Sequence, residues 1–258
     1  MIEMATGDTK SIDYDERSVA FVDVLGFTEL VTRSESDSAA RVKIGKLLAI
    51  NILFEKFVRN FINSAEAVFF SDSFAISMLS PEHRLFYLIR ETGMLCRYLL
   101  LQGFACRGAI TTGPLYHRDR FIVGPAFVDA YRLDRSVAIY PRVIMDATTM
   151  EYWKAEFRED EIGHGPAHSH LESLVKRDRD GQYFLDLFNP DWGPNFIQWS
   201  DVIPSSDKVP NDPAEFLKKT SKSIGDNRAA SAGNVKVLAK YEWLAAEWAE
   251  HAAALQQN

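Results

Sequence analysis

Asp23 stands in the run Phe21-Val22-Asp23-Val24-Leu25-Gly26-Phe27-Thr28, and Asp72 in Phe69-Phe70-Ser71-Asp72-Ser73-Phe74. Each is a single carboxylate within or at the end of an apolar segment that reads as a strand. A carboxylate carried into such surroundings is costly unless a cation meets it. Two of them, in strands able to lie side by side, suggest a pair of metal-binding carboxylates facing a phosphate-bearing substrate. The plainer alternative for Asp72, between two serines, is the cap of a hairpin turn.

The surrounding pattern supplies the elements that would position these groups. Residues 1–16 are polar and read as a loose tail, and Ser18 to Leu25 is the first strand. From Asp37 to Ile62 apolar residues recur at helical spacing, through Val42, Leu47, Leu48, Ile52, Phe57 and Phe61. Residues 65–70 and 74–79 read as two strands joined at Ser71-Asp72-Ser73. Pro81 and Gly103 bracket a second helix. Strands at 105–111, around Leu115 and at 121–123 follow, then a helix opened by Gly124-Pro125, a strand at 142–145 and a helix at 147–157.

The order β-α-β-β-α-β predicts an α+β, ferredoxin-like domain, an antiparallel sheet with helices packed on one face. Residues 159–180 are charged and glycine-bearing and read as a loop before a strand at 183–188. A proline-rich stretch, 189–210, leads to two C-terminal helices, at 213–223 and 229–251. The expected organisation is a flexible tail over 1–16, a catalytic domain over 17–188, and a linker with C-terminal helices over 189–258.

Composition narrows the function classes. The chain has 258 residues, 47% of them hydrophobic, and a formal net charge of −7. That field disfavours non-specific binding to nucleic acid or an anionic membrane, so a phosphate ligand needs local cations or metals. Cys96 and Cys106 both lie in apolar stretches, which reads as buried packing in a reducing compartment rather than a disulfide framework. No 18-residue apolar run occurs, and the N-terminus lacks a basic segment followed by an apolar one; a cytoplasmic protein is expected.

Four segments taken together resemble the class III nucleotidyl cyclases, the adenylate and guanylate cyclase homology domain. They are Asp23-Val24-Leu25-Gly26-Phe27-Thr28, Asp72 at its hairpin tip, Arg107-Gly108-Ala109-Ile110-Thr111-Thr112-Gly113, and Gly124-Pro125 leading to Ala130-Tyr131-Arg132-Leu133. They fall in the family's order over roughly residues 18–188. The resemblance implies two divalent ions, Mg²⁺ or Mn²⁺, held by Asp23, Asp72 and the carbonyl of Val24. It further implies a nucleoside triphosphate contacted by Phe21, by the backbone of Leu25, Gly26, Phe27 and Thr28, and by Arg107. Arg132 would stabilise the transferring phosphoryl group from the second subunit of a homodimer.

Adenine-specific members of the family select their base with a Lys and an Asp at positions that here hold Glu66 and Phe121, and Val128 stands in place of a family Asn. These departures, with the helical C-terminal extension, make the chain look like the bacterial Pycsar pyrimidine cyclases. That resemblance implies a uridylate cyclase making 3′,5′-cyclic UMP from UTP as an alarm during phage infection, read by a cyclic-nucleotide-gated effector. A cytidylate or purine cyclase, or an inactive nucleotide-binding module, are the alternatives. Lys176 resembles a late phosphate-binding lysine of the family, beside the reading of a solvated charged turn. Arg107 equally suits a structural ion pair. His164, His168 and His170 lack cysteine partners and regular spacing, and read as a surface cluster rather than a zinc site.

Overall fold

The computed structural model describes residues 11–61, 65–80, 84–160, 172–192 and 208–257. Its first strand, β1 (Asp15–Val24), is buried on both faces, and its residues sort by parity. Ala20, Val22 and Val24 enter the main core, whereas Val19 and Phe21 enter a second cluster on the opposite face. A strand covered on both sides reads as a continuous apolar run, the pattern of Val19 to Val22.

After β1 come α1 (Phe27–Ser34), α2 (Ser38–Phe61), β2 (Ala65–Phe70), β3 (Ser73–Leu79), α3 (Arg84–Leu101) and β4 (Cys106–Arg118). The short β5 (Phe121–Val123) folds back on β4, followed by α4 (Pro125–Ser136), β6 (Val143–Met145), α5 (Ala147–Asp160), β7 (Val175–Arg177) and β8 (Tyr183–Leu185). The chain closes with α6 (Pro213–Ala230) and α7 (Val235–Leu255). The sheet order is β2-β3-β1-β4-β6-β8-β7, and β4 with β6 is a parallel pair. Its first four strands have the ferredoxin-like arrangement, with antiparallel neighbours throughout.

The expected α+β arrangement with a helical C-terminal extension is present, and α4 adds a helix on the second face of the sheet. Helices α2, α3 and α5 cover the main core with Leu47, Phe54, Phe57, Leu88, Leu95 and Trp153. Each fully buried Leu or Phe there contributes about 1.5–3 kcal/mol. Helix α4 lies on the other face, where Ala126 and Ala130 pack on Val19, Phe21 and Leu115. Small residues let it sit close, and the Thr111 hydroxyl donates to the Ala126 carbonyl at 2.7 Å. Close approach also explains Gly108, because a Cβ there would lie 2.2 Å from the Phe21 carbonyl oxygen in β1.

Three further boundaries differ from the sequence expectation. Asp15 and Glu16 belong to β1, paired with Leu115 and Pro114, rather than to a tail. The charged segment read as a loop contains β7, paired with β8 at the sheet's edge, where charge is tolerated because a flank faces solvent. The strand around Leu115 is continuous with the Arg-Gly strand as β4. The His164, His168 and His170 cluster lies outside the described residues. Cys96 and Cys106 are buried free thiols.

Helices α6 and α7 close the end of the domain through a separate cluster, in which Phe216, Leu217, Ile224, Tyr241 and Leu244 join Leu100, Ala105 and Phe188. No helix among the described residues is long and apolar enough to cross a membrane.

Candidate active site

Asp23 occupies the penultimate position of β1, opposite Ser73 of β3 on one side and Arg107 of β4 on the other. The Ser73 hydroxyl donates to Asp23 Oδ1 at 2.9 Å, and Arg107 Nη2 lies 3.4 Å from Asp23 Oδ2. Both groups on Asp23 come from the register of the sheet, so the carboxylate is oriented before any ligand arrives.

Asp72 sits in the two-residue turn between β2 and β3. Ser71 before it takes a positive φ of 60°, a conformation in which a non-glycine residue is uncommon. The Val24 amide donates to the Asp72 carbonyl at 3.0 Å, tying the hairpin tip to the end of β1. Burial, and to a lesser extent the Asp23 charge beside it, push the Asp72 carboxyl above its ordinary range. A carboxyl whose proton affinity is raised by burial and by a second acid beside it favours an added cation.

Chemically the pair fits a hard divalent ion. Among the described residues no cluster of three or more His, Cys, Asp or Glu side chains forms a metal cage. Mg²⁺ ordinarily takes one or two carboxylates and completes its shell with water and substrate phosphate oxygens, so two aspartates suffice where the substrate brings the rest. The Val24 carbonyl lies between them in sequence and is the remaining expected ligand.

The turn after β1 leads directly into α1. Gly26 is its N-cap with φ 78° and offers no side-chain cap, leaving the first-turn amides of the helix to an outside acceptor. Open space surrounds Gly26, where a Cβ would touch nothing within 4 Å. A phosphate could approach the amides of Phe27 and Thr28 there. The expected set of four amides loses one member: Leu25 donates its N–H to the Ala105 carbonyl at 2.9 Å. Phe21 is buried rather than open to a nucleotide, packed edge-on against Phe127 and Tyr131.

The remaining residues singled out in the sequence lie elsewhere. Along α4, Ala126, Ala130 and Asp134 form the buried stripe at i, i+4 and i+8. Arg132 therefore projects from the far side, 73% exposed, and among the described residues its one ion-pair partner is Asp129 at 3.5 Å. Phe121 is 74% exposed on β5, lining an open groove with Ile12, Tyr116, Arg118 and Val123. Glu66 accepts the Asp119 amide at 3.3 Å, so it stands beside the β4–β5 turn that carries Phe121. Phe121 pairs with Arg118, whereas Asp23 pairs with Arg107; along β4 that is a contour of roughly 35 Å at ~3.3 Å per residue. Lys176 is in a third place, with its ammonium 3.1 Å from both Glu247 and Glu250 of α7. Burial opposes its charge, yet the hydrogen bonds it donates to Glu250 and Glu247 hold its pKa above the ordinary value.

Two residues at the Asp23 site carry no motif. Asp134, 1% exposed, ion-pairs with Arg107 Nε at 3.3 Å, and burial pushes its carboxyl up to about 6. Arg107 thus bridges two acids, one from β1 and one from α4. Lys240 of α7 faces the same group: burial first, then Arg107, lower its pKa, while Asp23 and Asp134 oppose that shift. Asp134 was legible as an acid continuing an alanine stripe. Lys240 was not, because only the packing of α7 brings it there.

No protein-family model and no curated protein sequence matches the chain. Among solved structures, the monomeric guanylyl cyclase domain of the RhoGC fusion protein from the aquatic fungus Blastocladiella emersonii aligns with a TM-score of 0.44 and 13% identity. The alignment covers 69% of this chain and 98% of that domain.

Proposed function

We propose that the protein is a metal-dependent nucleotidyl cyclase that converts UTP to 3′,5′-cyclic UMP and pyrophosphate. The observation that carries the reading is the convergence of Asp23 and Asp72 on the end of β1, bonded to each other's strands and directly preceding the uncapped start of α1. Few reactions call for two hard-cation ligands beside a phosphate cradle, and phosphoryl transfer is the foremost of them.

Asp23, Asp72 and the Val24 carbonyl would hold two Mg²⁺ or Mn²⁺ ions. Such ions lower the pKa of a bound hydroxyl and neutralise phosphate charge. The amides of Phe27 and Thr28 bind the triphosphate and fix its direction, helped by the positive end of α1. Ser73 and Arg107 hold the Asp23 carboxylate in place. The ribose 3′-oxygen forms a bond to the α-phosphorus as the bond to the bridging oxygen breaks; that electron pair leaves on pyrophosphate and the hydroxyl proton passes to water. Arg132, arriving from a second copy, donates to the charge on the transferring group; its planar fork suits this better than an ammonium.

The choice of UTP rests on the resemblance to pyrimidine cyclases and on Glu66 and Phe121. Neither residue offers the donor and acceptor pair that adenine selection in the family uses. A role in phage defence, through a cyclic-nucleotide-gated effector, belongs to the same proposal. The test is a panel of UTP, CTP, ATP and GTP with Mn²⁺ or Mg²⁺, read by mass spectrometry. Cyclic UMP as the main product supports the reading, and dominant cyclic AMP overturns the base assignment. Absence of pyrophosphate from every triphosphate replaces the enzyme with a nucleotide-binding module.

A further inference from the structure

The alternation that sends Ala20, Val22 and Val24 into the main core puts Asp23 on the opposite face of β1, with Val19 and Phe21, where α4 packs. Helix α4 meets that face with Ala126, Ala130 and Asp134, spaced one turn apart along its buried side. The two alanines lie on Val19 and Phe21. The next turn reaches the Asp23 end of the strand: Asp134 Oδ1 stands 3.3 Å from Arg107 Nε, and Arg107 Nη2 stands 3.4 Å from Asp23 Oδ2. A single guanidinium separates α4 from the Asp23 carboxylate.

Packing alone does not call for an acid at this position. Leu133 and Val137 already anchor this end of α4 against Ala109, Ile144 and Phe184. A third alanine would extend the stripe, whereas a carboxylate at 1% exposure carries a desolvation cost that its partner must offset. Neither Asp134 oxygen has a hydrogen-bond partner among the described residues, so the ion pair with Arg107 is the contact that meets its charge.

What Asp134 supplies is therefore charge. Asp23 and Arg107 alone form a neutral pair, and a carboxylate matched by a guanidinium attracts a metal ion less strongly. With Asp134 the same contact group keeps one negative charge, and Asp72 stands beside it at the end of β1. Lys240 of α7 adds positive charge to this neighbourhood, in the same sense as Arg107. We propose that Asp134 is a positioning residue for the metal site: by sharing Arg107, it lets that cation orient Asp23 without neutralising the carboxylate. This role rests on the metal-dependent cyclase reading and gives α4 of the same chain a part in setting metal affinity.

The deciding experiment measures binding of Mn²⁺ alone to the full chain, read from the loss of the free-ion signal in electron paramagnetic resonance. The buffer is held at about pH 7.5, above the value of about 6 for the Asp134 carboxyl. Asp23→Asn should abolish binding. Asp134→Asn should weaken it about 10- to 100-fold, the usual cost of losing a group that supports a metal ligand. Removing Asp134 leaves the site one unit more positive, and removing Arg107 as well returns the original charge. The double variant Arg107→Met/Asp134→Asn should therefore bind Mn²⁺ at least about fivefold more tightly than Asp134→Asn, with Ser73 still donating to Asp23. An acid needed only for packing is not rescued by a second deletion. Asp134→Ser replaces the asparagine variant if circular dichroism shows that the latter fails to fold.

Unchanged Mn²⁺ affinity in Asp134→Asn or Asp134→Ser, while Asp23→Asn abolishes binding, overturns the assignment and leaves the carboxylate site standing without Asp134. A double variant that binds no more tightly than the single one also overturns it, because the effect then does not pass through Arg107. Binding that survives in Asp23→Asn, or is absent from the parent, removes the metal site itself and the role of Asp134 with it.

Discussion

Two regions of the molecule treat charge in opposite ways. At the end of β1 charged side chains meet partners from other elements: Asp23 meets Ser73 and Arg107, and Arg107 meets Asp134. On β5 and the outer side of α4, Phe121, Val123, Val128 and Tyr131 are exposed, and among the described residues Arg132 pairs with Asp129 alone. An exposed pair of that kind is worth about 0–1 kcal/mol and is easily given up. One region is assembled within the chain and the other carries apolar surface with an exposed guanidinium. A two-fold pairing of copies would let each chain's second region complete the other's first.

The largest expected effect falls on the assembled end. Asp23→Asn and Asp72→Asn should each lower turnover by at least ~10³-fold, since metal-borne charge stabilisation amounts to several kcal/mol and each 1.4 kcal/mol is tenfold. Steady-state assays with Mn²⁺ check this, and retained activity in either variant would remove the carboxylate pair from the mechanism. Next comes Arg132→Ala, with a loss of about 10³-fold in kcat, at the low end for a supplied arginine. Its urea midpoint should barely move, because a surface residue away from packed features changes stability by about 0.5 kcal/mol or less. A large stability change with little kinetic effect would make Arg132 structural.

Asp134 gives a pH-dependent test of how far the assembled end is buried. Its folded carboxyl, at about 6, holds a proton that the unfolded chain releases near 3.9. The folded state therefore binds more protons between these values, and stability should fall as pH rises from about 4 to about 6, then level. The upper bound is about 3 kcal/mol. Comparing urea midpoints of the parent and Asp134→Asn across that range should show the decline in the parent only; parallel curves would mean that the carboxyl is hydrated. The smallest effect belongs to the exposed end: Phe121→Ser should weaken self-association about tenfold in sedimentation, the loss of one apolar anchor, without altering the monomer's melting point.

The same contrast governs what the sequence revealed. Strand β1 was legible because its burial is local, and Asp72 at the hairpin tip because two residues of turn chemistry place it there. The second face of the sheet was hidden: Ala126 and Ala130 are too small to announce a helix packed on Phe21. Helix α1 was missed as a separate element because none of its eight residues is buried. Strand β4 read as broken at Gly113-Pro114, yet Pro114 lies beyond the span where β6 pairs with it, so its missing donor disrupts no second ladder. Lys176 looked like a phosphate ligand from its neighbours in sequence, and its actual neighbours, Glu247 and Glu250, come from a helix some seventy positions away. Long-range electrostatics of this kind leaves no trace in local pattern.

The central claim is that a working site joins the carboxylate end of one chain to the arginine face of another. Asp23→Ala and Arg132→Ala chains, each inactive alone, should regain activity when co-folded, because every mixed dimer contains one intact site and one doubly damaged site. With random mixing about half the dimers are mixed, so activity should recover to roughly a quarter of the parent's. Persistent inactivity, with subunit exchange demonstrated by a tag pull-down, would contradict the shared site.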